Sequence, residues 1–131
     1  MKYSRKDAKS HAFAHMKGIW AAGLMPFRED LSIDEEGFAA NMDHGINDLG
    51  IDGFFIAGKQ GEFFAMSLDE RKRAFDLAVK AANGRAQTIM SCSDQNMDVV
   101  IDLAKHAQSC GADYIVVHAP ILHLYKARDE T

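Results

Sequence analysis

Five residues, Gly58-Lys59-Gln60-Gly61-Glu62, follow directly on the apolar run Phe54-Phe55-Ile56-Ala57. Two glycines three apart let a main chain turn sharply and come close to a bound group. Lys59, Gln60 and Glu62 stand around these glycines. Strand, glycine-rich turn and helix is the arrangement in which α/β proteins place ligands. On spacing alone, the same residues also suit an ordinary strand-to-helix loop. A second group is Ser91-Cys92-Ser93, after another apolar run, and a third begins at His118. His118 is a candidate acid–base group, although a strand-end histidine more often serves as a plain hydrogen-bonding group. Cys92 is expected to be a buried structural thiol rather than a nucleophile. His11 and His15 stand four apart and share a helix face; two histidines alone are read as a surface pair. His118 and His123 do not form a convincing ligand pair, so no metal is expected.

The elements that must position these groups are legible in order. Residues 5–17 read as a helix with Ser4 as its cap, and 18–24 as a first strand ended by Pro26. Ser32 and Glu35 form a capping box that opens a helix to Leu49, with Phe38, Met42, Ile46 and Leu49 as its apolar stripe. Gly50 is placed to end it. Residues 51–57 make the second strand. A second capping box, Ser67 with Glu70, opens a helix to about Ala82. Residues 86–91 are the third strand. A helix over 96–109 follows, its core stripe Val100, Leu103, Ala104 and Ala107. Residues 114–118 are the fourth strand, closed by Pro120.

Helix-ending glycines at 50, 84 and 111 mark a repeat of roughly thirty residues, the size of a βα unit. Gly50-Ile51-Asp52 and Gly111-Ala112-Asp113 repeat in sequence as well. The near-continuously apolar strands fit a parallel sheet covered on both faces. Both an open doubly wound sheet and part of a (β/α)8 barrel satisfy this order; a complete barrel takes about 250 residues. In either one, ligands bind beyond the carboxyl ends of the strands, which confines the site to residues 25–26, 58–62, 91–93 and 118–122.

Bulk composition excludes several functions. With 15 basic and 19 acidic residues dispersed along 131, there is no basic patch for nucleic acid. No apolar run approaches the ~20 residues of a membrane span. The basic first residues lack an apolar leader core. Two cysteines are too few for a disulfide framework, so a reduced, cytoplasmic protein of one domain is expected.

The central stretch resembles the signature of the dihydrodipicolinate synthase / N-acetylneuraminate lyase family. Gly53, Phe54, Phe55, Gly58, Gly61, Glu62, Phe63 and Glu70 fit the pattern; Lys59 and Gln60 stand where the family carries two small hydroxyl residues. Pro26-Phe27 followed by Ser32-Ile33-Asp34 resembles the family's opening, with Met25 where threonine is usual. Residues 110–117 resemble the strand before its Pro-Tyr-Tyr segment, here Pro120-Ile121-Leu122. The resemblance implies that residues 1–131 form the N-terminal part, about four strands, of a single (β/α)8 barrel. It implies a class I aldolase-type lyase that binds a 2-keto acid such as pyruvate through a lysine Schiff base and needs no cofactor. That lysine is expected beyond Thr131, so this chain by itself is expected to be inactive. Gly58, Lys59, Gln60 and Gly61 become substrate-binding residues, with Glu62, Ser91 and Leu122 near the site and His118 a catalytic candidate. The altered loop and the lost tyrosine point away from dihydrodipicolinate synthase itself. A homo-oligomer, tetramer or dimer, is implied for the full-length form. The alternatives are a non-catalytic relative binding an acidic metabolite and a self-contained α/β binding domain.

Overall fold

The computed structural model describes residues 3–119. Its order is α1 (Ala8–His15), β1 (Trp20–Ala22), α2 (Glu35–Asn47), β2 (Gly53–Ile56), a 3-10 turn (Phe63–Ala65), α3 (Leu68–Ala82), β3 (Gln87–Ser91), α4 (Met97–Cys110) and β4 (Tyr114–Val116). The strands form one sheet in chain order, every pair parallel. The expected α/β architecture of parallel βα repeats is therefore the observed one.

Local chemistry sets the boundaries. Ser67 accepts from the Glu70 N–H while the Glu70 carboxylate accepts from the Ser67 N–H, the reciprocal cap expected from sequence. The other expected box does not form. Asp34, not Ser32, caps α2 by accepting from the Gly37 N–H at 3.1 Å, and the Ser32 hydroxyl donates instead to Asp30. The reason is that Phe27 and Ile33 pair as an antiparallel bridge, which holds Ser32 in a turn before the helix can begin. α2 stops at Asn47, so Leu49 falls outside its stripe and is exposed. α1 is shorter than the 5–17 span, beginning after Asp7, and Ser4 bonds to Asp7 rather than to the helix N-terminus.

The repeated Gly-x-Asp has a structural meaning. Asp52, just before β2, accepts the main-chain N–H of Ile19 ahead of β1 at 2.8 Å. Asp113, just before β4, accepts the N–H of Thr88 in β3 at 2.9 Å. Each carboxylate thus ties the start of its own strand to the start of its neighbour and fixes their register.

One face of the sheet is packed under the helices. Phe54, Ile56 and Met90 are buried with Phe38 and Met42 of α2, Phe75 and Ala78 of α3, and Leu103 of α4. Phe75 is fully buried, and removing such a ring costs about 3–5 kcal/mol. The other face is concave. Trp20 at the start of β1 and Tyr114 at the start of β4 have ring centroids 6.3 Å apart, although two strands separate them. A flat sheet would hold side chains on these strands roughly 14 Å apart, three strand spacings. The sheet therefore curls inward, as a barrel wall does. Tyr3 and α1 sit at this N-terminal end of the strands. The Tyr3 hydroxyl donates to the Asp113 carbonyl at 2.7 Å, and its ring stacks on His11 with centroids 4.1 Å apart.

Candidate functional site

At the opposite end, the chain leaving β2 turns through Ala57, whose φ is +51°, and returns at Glu62, whose φ is +54°. Glu62 donates its N–H to the Lys59 carbonyl at 3.1 Å and Phe63 to the Gly58 carbonyl at 3.3 Å, closing a compact loop. Gly58 and Gly61 are buried, whereas Lys59, Gln60 and Glu62 are exposed. A Cβ on Gly61 would stand 2.8 Å from the main-chain oxygen of Gly23, so the loop packs backbone to backbone against the end of β1. Among the described residues, the N–H groups of Lys59, Gln60 and Gly61 have no protein acceptor.

The parallel order brings the loops after β2, β3 and β4 to the same end of the sheet. Ser91, the last residue of β3, is buried and its hydroxyl has no partner among the described residues. Two residues on, the Ser93 hydroxyl accepts the His118 N–H at 3.0 Å and lies 2.9 Å from the Nδ1 of that ring. His118 is thereby joined to the β3 loop and is exposed, not joined to the loop at 58–62 by any bond given by the structure. Cys92 is fully buried, and burial raises its thiol to about 11, so it is not a nucleophile near neutrality. Leu122 and Pro120 lie outside the described residues.

One residue of this end was not expected from sequence. Arg71 on α3 is only 3% exposed and reaches under both loops. Its Nη2 donates to the carbonyls of Ser91 at 3.1 Å and Ser93 at 2.8 Å, and its Nη1 to the Asp94 carboxylate at 3.1 Å. The guanidinium also lies over the Phe63 ring, 5.1 Å from its centroid. Burial lowers its pKa and Asp94 opposes that shift, so the group remains a cation. The available signal was its place on the otherwise apolar stripe with Ala74, Phe75, Ala78 and Ala82, at helical spacing.

Elsewhere, His11 and His15 stack at 4.2 Å on α1, at the far end of the strands. A groove lies beside β4 and α4, lined by Tyr3, Ala104, Ala107, Ala112, Tyr114 and Ile115, away from the loops at the carboxyl ends. Among the described residues, no helix is long and apolar enough to cross a membrane.

A curled sheet of four parallel strands with helices on one face has the form of part of a (β/α)8 barrel wall. Residues 15–129 match the Dihydrodipicolinate synthetase family, and the chain belongs to that family. It is 34% identical over 110 residues to an N-acetylneuraminate lyase of Clostridium perfringens, covering 84% of this chain and 38% of the lyase. It is 38% identical over 104 residues to a 4-hydroxy-tetrahydrodipicolinate synthase of Agrobacterium fabrum, covering 79% of this chain and 35% of the synthase. Among solved structures it resembles CdNal from Clostridium difficile in complex with mannosamine, with a TM-score of 0.78 and 32% identity, over 80% of this chain and 36% of that one. It also resembles an E. coli K12 prophage protein of the dihydrodipicolinic acid synthase family in complex with pyruvate, with a TM-score of 0.73 and 30% identity, over 87% of this chain and 41% of that one. The chain thus spans a little over a third of the length of the curated relatives it matches.

Proposed function

We propose that the chain supplies the carboxylate-binding part of an aldolase-type lyase that acts on a 2-keto acid through a lysine Schiff base. The observation that carries this reading is the loop at 58–62. Its buried Gly61 presses against the end of β1, and the loop leaves three successive N–H groups without a protein acceptor among the described residues. Such a group of main-chain donors suits an anion. Lys59 and Gln60 would add a cation and an amide to the carboxylate. The related E. coli protein that holds pyruvate supports a pyruvate-like ligand.

The reacting amine must be neutral to attack the keto carbon, and the resulting iminium draws electrons from the bond that breaks. Lys59 is exposed on the loop assigned to the carboxylate, and the resemblance places the reacting lysine on a later strand. The Schiff-base lysine is therefore assigned to chain beyond Thr131. His118, turned outward on Ser93, is the proposed proton-handling group of this part. Replacement of the family's hydroxyl pair by Lys59 and Gln60, with Leu122 for a tyrosine, supports a substrate other than that of dihydrodipicolinate synthase. A cytoplasmic homo-oligomer, with no nucleic acid or membrane partner, completes the reading.

Borohydride trapping tests it. With pyruvate, the 131-residue chain is expected to stay unmodified, and a protein extended through the following βα units to gain a reduced pyruvyl adduct on a lysine past Thr131. An adduct on Lys59, located by mass spectrometry, would overturn the mechanism. No adduct in the extended protein would favour a non-catalytic relative that binds an acidic metabolite.

A further inference from the structure

Helices α3 and α4 each follow a strand of the same parallel sheet and lie side by side on its packed face. They meet through contacts that advance one turn at a time. Lys72 Nζ lies 2.6 Å from Asp102 Oδ2, and His106 Nε2 lies 2.9 Å from Asp76 Oδ1. Both partners step by four residues, the spacing that keeps side chains on one helix face. A further step of four along α4 reaches Cys110, its last residue. The thiol sulfur, His106 Nε2 and an Asp76 carboxylate oxygen all lie within 4.8 Å of one another.

We propose that Asp76, His106 and Cys110 form a three-ligand zinc(II) site between α3 and α4, with water in the fourth position. The donor set selects the ion. Magnesium and calcium take oxygen ligands, whereas a thiolate, an imidazole and one carboxylate suit a borderline divalent ion. Bonds of about 2.0–2.3 Å in a tetrahedral arrangement place donors roughly 3.3–3.8 Å apart. The Asp76–His106 pair needs to open slightly and Cys110 to close in, movements within reach of side-chain rotation. Asp76 and His106 are partly exposed, at 41% and 26%, so an ion has a path to them. The imidazole already presents Nε2 to the cluster and leans on the buried Phe75 ring, with centroids 6.5 Å apart. The thiol now donates to the Ala107 carbonyl at 3.3 Å, a weak bond given up when the thiolate binds metal. The cluster lies along the flanks of two helices, so it is separate from the loops at the strand ends.

Cobalt(II) is the probe, because cobalt bound by thiolate gives a charge-transfer band and tetrahedral cobalt gives strong visible bands. Titration of the chain is expected to show both, saturating at one ion per chain, with zinc(II) displacing cobalt. Cys110→Ser is expected to abolish the charge-transfer band, and His106→Ala to weaken binding at least about tenfold, 1.4 kcal/mol. Cys92→Ser and the double variant His11→Ala/His15→Ala are expected to retain the band. Zinc(II) should raise the melting temperature of the native chain and not that of Cys110→Ser, whose metal-free melting curve reports whether it folds. Absence of the charge-transfer band in the native chain, or its survival in Cys110→Ser, would overturn the site.

Discussion

Arg71 on α3 donates from Nη2 to the carbonyl of Ser93 at 2.8 Å, so a buried cation on a helix holds the loop that leaves β3. The same guanidinium bonds Ser91 and Asp94, while the aromatic ring beneath it belongs to the preceding loop. Truncating it strands two buried carbonyls and the Asp94 carboxylate. Because Asp94 is 30% exposed and regains water, the expected loss for Arg71→Ala is about 2–4 kcal/mol, at or below the usual cost of breaking a buried pair. Arg71→Lys should recover little of it, since one ammonium cannot span acceptors arranged for a fork. Denaturant unfolding checks both variants.

Gly61→Ala places a methyl group 2.8 Å from the Gly23 carbonyl oxygen, which is main chain and cannot swing away. The expected cost is about 1–3 kcal/mol, as for other forced overpacking. Loosening of the 58–62 loop should appear as faster amide exchange at Glu62 and Phe63, whose N–H groups close it, with the exchange of α4 unchanged.

The capping box at Ser67 makes a pH prediction. The Ser67 N–H, and then its hydroxyl, hold the Glu70 carboxyl below its ordinary value of 4.5. A carboxyl lowered on folding adds stability above its unfolded pKa and loses that contribution as pH falls through the folded one. Native protein should therefore exceed Glu70→Gln in stability by a constant margin above about pH 5, and the margin should shrink as pH falls below the ordinary glutamate range. Melting curves of the two proteins from pH 7 to pH 3 test this. A margin that grows toward low pH would contradict the cap.

Cys92 and Cys110 should separate by reactivity. The first is fully buried with its thiol raised to about 11, and the second is half-buried at a helix end. At pH 8 without metal, a thiol reagent should modify Cys110 promptly and Cys92 only at the rate of unfolding. Peptide mapping after a short pulse distinguishes them.

Lys59→Ala should weaken 2-keto acid binding in the extended, lysine-bearing protein. An exposed side chain gives about 1.5 kcal/mol, the low end for a hydrogen bond to a charged group. Threonine at both 59 and 60 should shift preference toward pyruvate. Calorimetric titration with pyruvate and longer 2-keto acids measures both effects.

Periodicity and punctuation carried most of the fold. The βα repeat and its helix-ending glycines led to four parallel strands in order, and Ser67 with Glu70 marked the start of α3. Capping failed where a second acceptor stood two residues on. Ser32 and Asp34 both precede a first-turn acid, and only the Phe27–Ile33 bridge decides between them. The strand ends pointed to the 58–62, 91–93 and 118 loops because parallel topology places such ends together. Arg71 stayed hidden because a charged residue on an apolar stripe is usually read as solvated, and its acceptors are main-chain carbonyls about twenty residues away. The Asp76, His106 and Cys110 cluster was equally invisible, since it forms only when two helices thirty residues apart pack side by side.

Trp20 is the only tryptophan in the 131 residues, and its ring covers Gly53 so closely that a Cβ there would stand 2.4 Å from it. Its Nε1 donates to the Lys17 carbonyl at 3.0 Å, and Tyr114 lies beside it. The protein's intrinsic fluorophore is therefore half-buried at the end of the sheet remote from the proposed carboxylate loop. Its emission will follow unfolding and the seating of the amino-terminal segment, with nearby tyrosines feeding it excitation energy. A ligand arriving at the far loops should pass unseen by it, so an optical reporter of occupancy must be introduced at the other end, for example at Phe64, which is 71% exposed.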